Sequence, residues 1–282
     1  MAKYNKLLVA IDGSASSLNA LKESFKLSKK GTLGVSVAPP YTVDLRIDAE
    51  EGIRSLLTEP CETALNKASD MAKEAGAEVF GICAMGQPHE RIVDLSESEG
   101  CDLIVVGAKG MLSIEKAFMG DVTAKVIGYS VKDVLVVPDQ TALGLDRILL
   151  ATDGSEYSRR AAVRAMDFAE SYGTDLMAIS IVEISSEVYS IAPEVVEKQV
   201  GEAEEYLAGI GKQASSRGIK FQGFVRDSES PYDIITEIAQ VEQAGLIVMG
   251  SHGRTGLTRI LMGSTVERVI AQAPCPVLVV KS

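Results

Sequence analysis

The sequence lacks the excess of positive charge that a nucleic-acid backbone or an anionic membrane attracts. Its 282 residues include 28 Lys and Arg against 39 Asp and Glu, which gives a formal net charge of −11. Acidic residues outnumber basic residues in both halves of the chain. Because both kinds of partner bind cationic surfaces, we expect neither nucleic acid nor a membrane as the main partner.

Long hydrophobic runs are also lacking. No apolar stretch approaches the roughly 20 residues that a membrane-spanning helix needs. The apolar run at 7–11 is too short for the hydrophobic region of a secretory signal, and no small-residue cleavage site follows it. The overall composition, 46% hydrophobic and 24% charged, is typical of a globular domain. These features predict a cytoplasmic protein.

Cysteine is scarce, and no two cysteines form a Cys-x-x-Cys pair. The four residues are Cys61, Cys83, Cys101 and Cys275. Their scatter favours reduced, mostly packed thiols over a disulfide framework or a zinc site. We therefore expect no metal site in the chain.

The chain contains an internal repeat. Three stretches recur about 140 residues later: LLVAIDGS at 7–14 as ILLATDGS at 148–155, LIVVG at 103–107 as LIVMG at 246–250, and VLVV at 134–137 as VLVV at 277–280. Matching stretches in the same order indicate duplication of one unit. The sequence therefore predicts two homologous domains, 1–141 and 142–282, joined near 138–145.

Each copy alternates short apolar runs with longer amphipathic stretches. In the second copy the pattern predicts strands at 147–152, 175–182, 220–225, 246–249 and 276–280, and helices at 157–172, 193–216, 231–242 and 264–271. In the first copy it predicts helices near 17–29, 49–75, 88–98 and 121–127, whereas 38–59 and its counterpart 183–192 look irregular. Strands rich in Val and Ile that alternate with helices indicate βαβ units. The expected fold class is therefore α/β, with two tandem, doubly wound, mostly parallel five-stranded sheets covered by helices on both faces.

Ligands of such sheets bind beyond the carboxyl ends of the strands, where both Asp-Gly-Ser turns and both glycine-rich loops are expected. The second loop has the spacing Gly250-x2-Gly253-x9-Gly263 and leads into a helix at Ser264. Glycine lets backbone N–H groups approach an anion, and a helix N-terminus offers unpaired N–H groups. The spacing matches neither a Walker loop nor a dinucleotide fingerprint. These glycines could also serve only to shape a surface loop, but the spacing occurs twice in the chain.

With these motifs, the chain resembles a tandem universal stress protein of the ATP-binding type. The resemblance is carried by the DGS turn at 153–155, the glycine spacing and the terminal PVLVV at 276–280. It implies an adenine-nucleotide alpha-hydrolase-like fold and ATP as the ligand, with or without Mg²⁺. It also implies the following binding residues: Ala151, Thr152, Asp153, Ile181, Met249, Gly250, Gly253, Arg254, Gly263, Ser264 and Thr265.

Within this set the resemblance places Asp153 at the ribose or the adenine edge and Ile181 against the adenine. The glycines, Ser264 and Thr265 would hold the ribose and phosphates. Three alternatives stay open from the residues themselves. Asp153 could only form an Asx turn, Ser264 could be an ordinary helix cap, and Arg254 could be an exposed loop cation.

The first copy departs from this pattern at one position. Its counterparts, expected to form a weaker second site, are Asp12, Val37, Gly107, Gly110 and Gly120. Asp121 replaces the hydroxyl residue after the last glycine. Like charges about 4 Å apart repel by roughly 4 kcal/mol at an effective dielectric near 20, and even a third of that costs about tenfold in affinity. Lys109 and Lys116 could offset the repulsion. We expect the first domain to bind ATP weakly or not at all.

The resulting expectation is a stress-related or regulatory nucleotide-binding protein that binds ATP rather than turning it over efficiently. The sequence has no P-loop lysine and no nucleophile–base constellation, so at most slow hydrolysis is expected. The alternative is a structural or interaction module whose two domains act as a pseudo-dimer through the apolar strands at 134–137 and 277–280. Further pairing into a homodimer is left open. An enzyme of the related adenine-binding folds would need a signature such as Ser-Gly-Gly-x-Asp-Ser, which the sequence lacks.

Overall fold

The structure is a computed structural model that describes residues 4–28, 31–40, 50–109, 119–253 and 262–281. The chain divides into two compact units, one ending at Gln140 and the other beginning at Thr141. Among the described residues, no helix is both long enough and apolar enough to cross a membrane.

The first unit alternates strands and helices. Its elements are β1 (Leu7–Ala10), α1 (Ala15–Ser24), β2 (Thr32–Ala38), α2 (Glu50–Glu74), β3 (Val79–Met85), α3 (Pro88–Ser98), β4 (Leu103–Gly107), α4 (Asp121–Tyr129) and β5 (Asp133–Val137). The strands are parallel and lie in the order β3-β2-β1-β4-β5. The order reverses direction beside β1, as in a doubly wound sheet.

The second unit repeats this plan. Its elements are β6 (Arg147–Ala151), α5 (Glu156–Tyr172), β7 (Asp175–Glu183), α6 (Ser186–Ile191), α7 (Pro193–Ser216), β8 (Phe221–Ser228), α8 (Pro231–Val241), β9 (Leu246–Gly250), α9 (Ser264–Gln272) and β10 (Val277–Val280). Its parallel strands lie in the order β10-β9-β6-β7-β8. The predicted α/β class with doubly wound parallel sheets is confirmed in both units.

The Asp-Gly-Ser turn has the same geometry in both units. Gly13 and Gly154 adopt left-handed backbone angles, with φ of 80° and 78°, which glycine reaches without a steric penalty. The serine that follows caps the next helix, since the Ser14 hydroxyl accepts the N–H of Ser17 and the Ser155 hydroxyl accepts that of Ser158. The turn therefore ends the first strand and begins the first helix within four residues.

The two segments predicted to be irregular contain helical residues. Of the stretch 38–59, residues 50–59 belong to α2, in agreement with the helix predicted near 49–75, while 41–49 lie outside the described residues. Of the stretch 183–192, six residues form α6. A helix this short shows too few turns to display a 3.6-residue period in the sequence, which is why the pattern did not indicate it.

The prediction of four reduced thiols is wrong for one pair, because Cys61 and Cys83 form a disulfide. Their Cα atoms are 5.9 Å apart although 22 residues separate them in sequence. Helix α2 packs across β2 and β3 and so brings Cys61 against the strand that carries Cys83. Because the crossover helix creates this proximity, no short cysteine motif marks it. Cys101 and Cys275 are free and buried.

Candidate functional site

The carboxyl ends of β6 and β9 bring several predicted site residues together in the second unit. Ala151 pairs with Met249 in the parallel register, and both side chains are buried. Gly250 ends β9, and Thr152 follows β6. The Thr152 hydroxyl lies 3.3 Å from the hydroxyl of Tyr206 on α7, to which it donates a hydrogen bond. This edge of the sheet therefore joins β6, β9 and the crossover helix α7.

Asp153 lies at the centre of this edge. Its Oδ1 accepts the N–H of Ser155 at 3.0 Å, so the Asx turn considered from the sequence is present. Its Oδ2 lies against Gly253, since a Cβ added to Gly253 would lie 2.8 Å from this oxygen. The absence of a side chain at Gly253 thus makes room for the carboxylate, and the two predicted site residues are neighbours.

Gly250 has a packing role that is independent of any ligand. A Cβ added there would lie 2.7 Å from the carbonyl carbon of Tyr157 and 2.9 Å from the nitrogen of Ser158. Gly107 faces α1 in the same way, with the carbonyl carbon of Ser16 only 3.0 Å from an added Cβ. Separations this short require the neighbouring atoms to shift. In both units this glycine allows the first helix to pack closely against the end of the strand.

Gly263 is the N-cap of α9. Its N–H donates to the carbonyl of Ser251 at 3.0 Å. Ser264, which is exposed, and Thr265, which is half-buried, follow in the first turn. Ser264 is therefore the first helical residue rather than the cap. Within the part of the chain that the structure describes, no side chain caps α9, and its first-turn N–H groups carry the positive end of the helix dipole.

An apolar side chain is partly exposed near the carboxyl end of the second strand in each unit. In β7, residues 176–180 are buried, whereas Ile181 is half-buried. In β2, residues 32–36 are buried, whereas Val37 is half-buried. The resemblance places Ile181 against the adenine, and Val37 belongs to the set expected to form the weaker second site. A partly exposed aliphatic surface at a strand end is suited to a flat aromatic ring.

The corresponding edge of the first unit has the same Asx turn and glycine N-cap as the second unit, but it carries a carboxylate at the start of its last helix. Oδ1 of Asp12 accepts the N–H of Ser14 at 2.9 Å, and Gly120 caps α4 without a side-chain hydrogen bond. Asp121 begins α4 and forms an ion pair with Lys125, at 2.7 Å between Nζ and Oδ2. The predicted residues Gly110 and Arg254 lie outside the described residues.

The structure adds neighbours to this edge. From the sequence, His252 could approach a phosphate or act as a general base, with a solvated loop side chain as the favoured alternative. In the structure it is half-buried, its ring lies 5.2 Å from that of Tyr157, and its Nδ1 is 3.1 Å from Oγ of Ser251. Tyr206 reaches the edge from a helix 54 residues beyond Thr152, and no motif links the two. Lys281 follows β10 at the same edge, and burial lowers the pKa of its ammonium group.

A separate surface cleft of about 390 Å³ lies between α7 and β8, with Leu207, Phe221 and Phe224 among its lining residues. It contains none of the predicted site residues. The sheet edge combines a carboxylate, helix N–H groups and an apolar contact, whereas the cleft is lined by apolar side chains together with Glu204 and Arg226. Among the described residues, no group of three or more His, Cys, Asp or Glu is placed to hold a metal ion.

Comparison with known proteins identifies the same family in both units. The model of the universal stress protein family matches residues 3–138 and again 144–281. A universal stress protein of Mycolicibacterium smegmatis is 28% identical over 98% of this chain and 96% of its own length. One of Methanocaldococcus jannaschii is 38% identical over 48% of this chain and 81% of its own length. The crystal structure of a universal stress protein from Archaeoglobus fulgidus shares the fold, with a TM-score of 0.75, 23% identity and coverage of 98% and 96% of the two chains.

Proposed function

Because this chain belongs to the universal stress protein family through both of its units, we propose that it binds an adenine nucleotide, ATP, at the sheet edge of its second unit. One observation carries the proposal: Asp153, Gly253 and the uncapped start of α9 are grouped around the carboxyl ends of β6 and β9. The site combines the carboxylate of Asp153, the N–H groups at the start of α9 and the aliphatic side chain of Ile181. These groups complement a ribose, a phosphate chain and a purine, respectively.

In the proposed complex the half-buried Ile181 packs on the adenine, and the carboxylate of Asp153 accepts a hydrogen bond from a ribose hydroxyl or the exocyclic amine. The first-turn N–H groups of α9 and the hydroxyls of Ser264 and Thr265 donate to the phosphates. Arg254, in the glycine loop, supplies a neutralising charge. ATP can bring Mg²⁺ bound to its own phosphates, so the chain need not provide a full set of metal ligands.

The proposed role is regulation by binding rather than rapid turnover. The sequence contains no P-loop lysine, and we assign no residue as nucleophile or general base. ATP then acts through its differential affinity for two conformations or assemblies of the protein, which is the only way a ligand shifts such an equilibrium. We place this activity in the cytoplasm and assign the main site to the second domain, 142–282.

A bulky residue at Gly263 tests the site. Gly263 has ordinary backbone angles, and an added Cβ would lie 3.6 Å from its nearest described neighbours, so the backbone itself accepts a side chain in Gly263→Leu. We expect it to lower ATP affinity at least tenfold in isothermal titration, because the side chain obstructs the start of α9. Gly120→Leu is the matched control in the first unit and should leave the titration nearly unchanged. An unaltered affinity in Gly263→Leu would show that the pocket is assigned wrongly.

The second candidate function is an interaction module whose tandem units form a pseudo-dimer and whose glycine loops are inherited scaffold. The close packing of Gly250 and Gly107 against helices favours it, because packing alone explains those two glycines. Mass spectrometry of ligand released from the purified chain separates the two functions. Nucleotide binding predicts one adenine nucleotide per chain, whereas the interaction module predicts none.

A further inference from the structure

We propose that Cys61 and Cys83 form a reversible thiol–disulfide couple, which tethers α2 to the edge strand β3 and makes the stability of the first unit depend on dithiol reductants. The couple lies in the first unit, whereas the proposed ATP site lies in the second, and its chemistry does not depend on nucleotide binding. A dithiol would reduce the Cys61–Cys83 bond, and the oxidised form of the dithiol would restore it. Both cysteines lie outside the glycine loops.

The tether lies at a packed contact between α2 and the sheet. Leu65 of α2 covers two sheet glycines, since a Cβ added to Gly34 or Gly81 would lie 3.7 or 3.4 Å from its side chain. Cys61 lies one helical turn before Leu65 on the same face, and it is 4% exposed. Cys83 lies two residues after Gly81 on the same face of β3. The crossover geometry therefore holds the two sulfurs together.

The two cysteines differ in exposure. In the sheet of the first unit β3, which carries Cys83, is the edge strand. Cys83 is half-buried, whereas Cys61 is buried beneath α2. Attack by an external thiolate is therefore directed to Cys83, and Cys61 is the leaving thiol.

The second unit makes the same helix–strand contact without sulfur. There Leu207 of α7 packs at Gly223, with 3.5 Å to an added Cβ, just as Leu65 packs at Gly81. The residue four positions before Leu207 is Ala203, and the residue two positions after Gly223 is Val225. Both belong to one apolar cluster. Because the fold forms this contact with Ala and Val, the disulfide adds a dependence on redox state that the architecture itself does not require.

The other two cysteines are unsuited to the same chemistry. Cys101 and Cys275 are free and almost fully buried. Burial raises the pKa of both thiols, that of Cys275 to about 12, so little of the reactive thiolate forms. They serve as internal controls for labelling.

The exchange proceeds in two balanced steps. A thiolate of the dithiol bonds to Sγ of Cys83, the Cys61–Cys83 bond breaks, and its electron pair leaves on Sγ of Cys61, which takes up a proton. The second thiol of the reductant, as its thiolate, then attacks the reductant sulfur of this mixed disulfide, and the electron pair leaves on Sγ of Cys83, which is protonated in turn. Two electrons and two protons pass to the protein, and the dithiol ends as a disulfide.

Labelling under native conditions tests the couple. Full-length protein, purified without reductant, is incubated with increasing dithiothreitol, alkylated with iodoacetamide and mapped by mass spectrometry. We expect Cys61 and Cys83 to be labelled together, Cys101 and Cys275 to be labelled only after denaturation, and oxidised dithiothreitol to restore the bond. A pair that resists excess reductant until the protein unfolds, or that stays reduced in the oxidant, would overturn the proposal.

Stability provides the second readout. Opening a 22-residue loop in the unfolded chain should lower the melting temperature of the first unit by about 10 °C. On reduction, the rate of hydrogen exchange should rise in α2 and β3 and stay constant in α7 and β8.

The double variant Cys61→Ala with Cys83→Val is the control. It copies the residues of the second unit and should melt at the same temperature with and without reductant. If reductant destabilises this variant as much as the wild type, the pair is not the cause. ATP affinity is measured by titration of both the oxidised and the reduced protein. A redox-dependent melting temperature can then be judged independently of whether ATP binds.

Discussion

The two units begin their first helices in the same way and differ at the start of their last helices. In each, a left-handed glycine and a capping serine follow the first strand, and a strand-end glycine packs against the first helix. The last helix then begins with Ser264 in one unit and Asp121 in the other. Backbone geometry is thus retained where the fold requires it, whereas an exposed side chain beside the strand ends is free to change.

The same contrast holds at the edge strands. Cys61 and Cys83 in one unit correspond to Ala203 and Val225 in the other, and both pairs connect the long crossover helix to the edge strand. The packing of the crossover helix on the edge strand determines which two positions meet, but it does not determine whether they are cysteines or apolar residues. In the described residues, the second unit thus has a hydroxyl residue at the start of its last helix, and the first unit has a disulfide at its edge strand.

The largest expected effect is on the shared feature, the strand-end glycines. Gly250→Ala places a Cβ 2.7 Å from backbone atoms of α5, so we expect a loss of about 3 kcal/mol in unfolding free energy. Gly107→Ala should cost less, because its nearest neighbour is the Ser16 hydroxyl, which can rotate away. Urea unfolding of the full chain measures both variants.

Gly209→Ala is the control for the glycine series. This residue lies inside α7 with open space around it, so alanine should stabilise the helix by about 0.5–1 kcal/mol. If Gly250→Ala proves as harmless as Gly209→Ala, the close packing of β9 against α5 is wrong.

The exchange of Ser264 and Asp121 addresses the difference in charge between the units. Ser264→Asp should weaken ATP binding about tenfold, the affinity equivalent of 1.4 kcal/mol, since a carboxylate then faces the phosphates. Asp121→Ser removes the carboxylate that pairs with Lys125 and should strengthen binding by the first unit. Isothermal titration of each variant gives affinity and stoichiometry. Two equal, tight sites in the unmodified chain would remove the proposed asymmetry.

The smallest effect is expected at the helix caps that both units share. Ser14→Ala and Ser155→Ala each remove the acceptor for a first-turn N–H and should each cost about 1 kcal/mol in stability. Similar losses in thermal unfolding would show that the two turns are equivalent. A loss confined to Ser155→Ala would mean that the first turn depends on other contacts.

Much of the fold could be predicted because local rules determine it. The alternation of Val- and Ile-rich runs with amphipathic stretches indicated parallel sheets, and the start of α9 at Ser264 was predicted from the glycine before it. Strand β8 extends to Ser228, three residues beyond its predicted end, because its exposed, mixed residues show no apolar period. The short helix α6 was missed for a similar reason.

By itself, the sequence determined the duplication, the fold class and the spacing of the glycine motifs, since these depend on repeated local patterns and on backbone conformations open mainly to glycine. Only the tertiary structure decided that Gly253 lies beside Asp153, that Tyr206 reaches Thr152, and that Cys61 bonds to Cys83. These pairs join residues on different elements. Their proximity depends on the distance and angle at which helices and loops pack onto the sheet, which no spacing along the chain specifies.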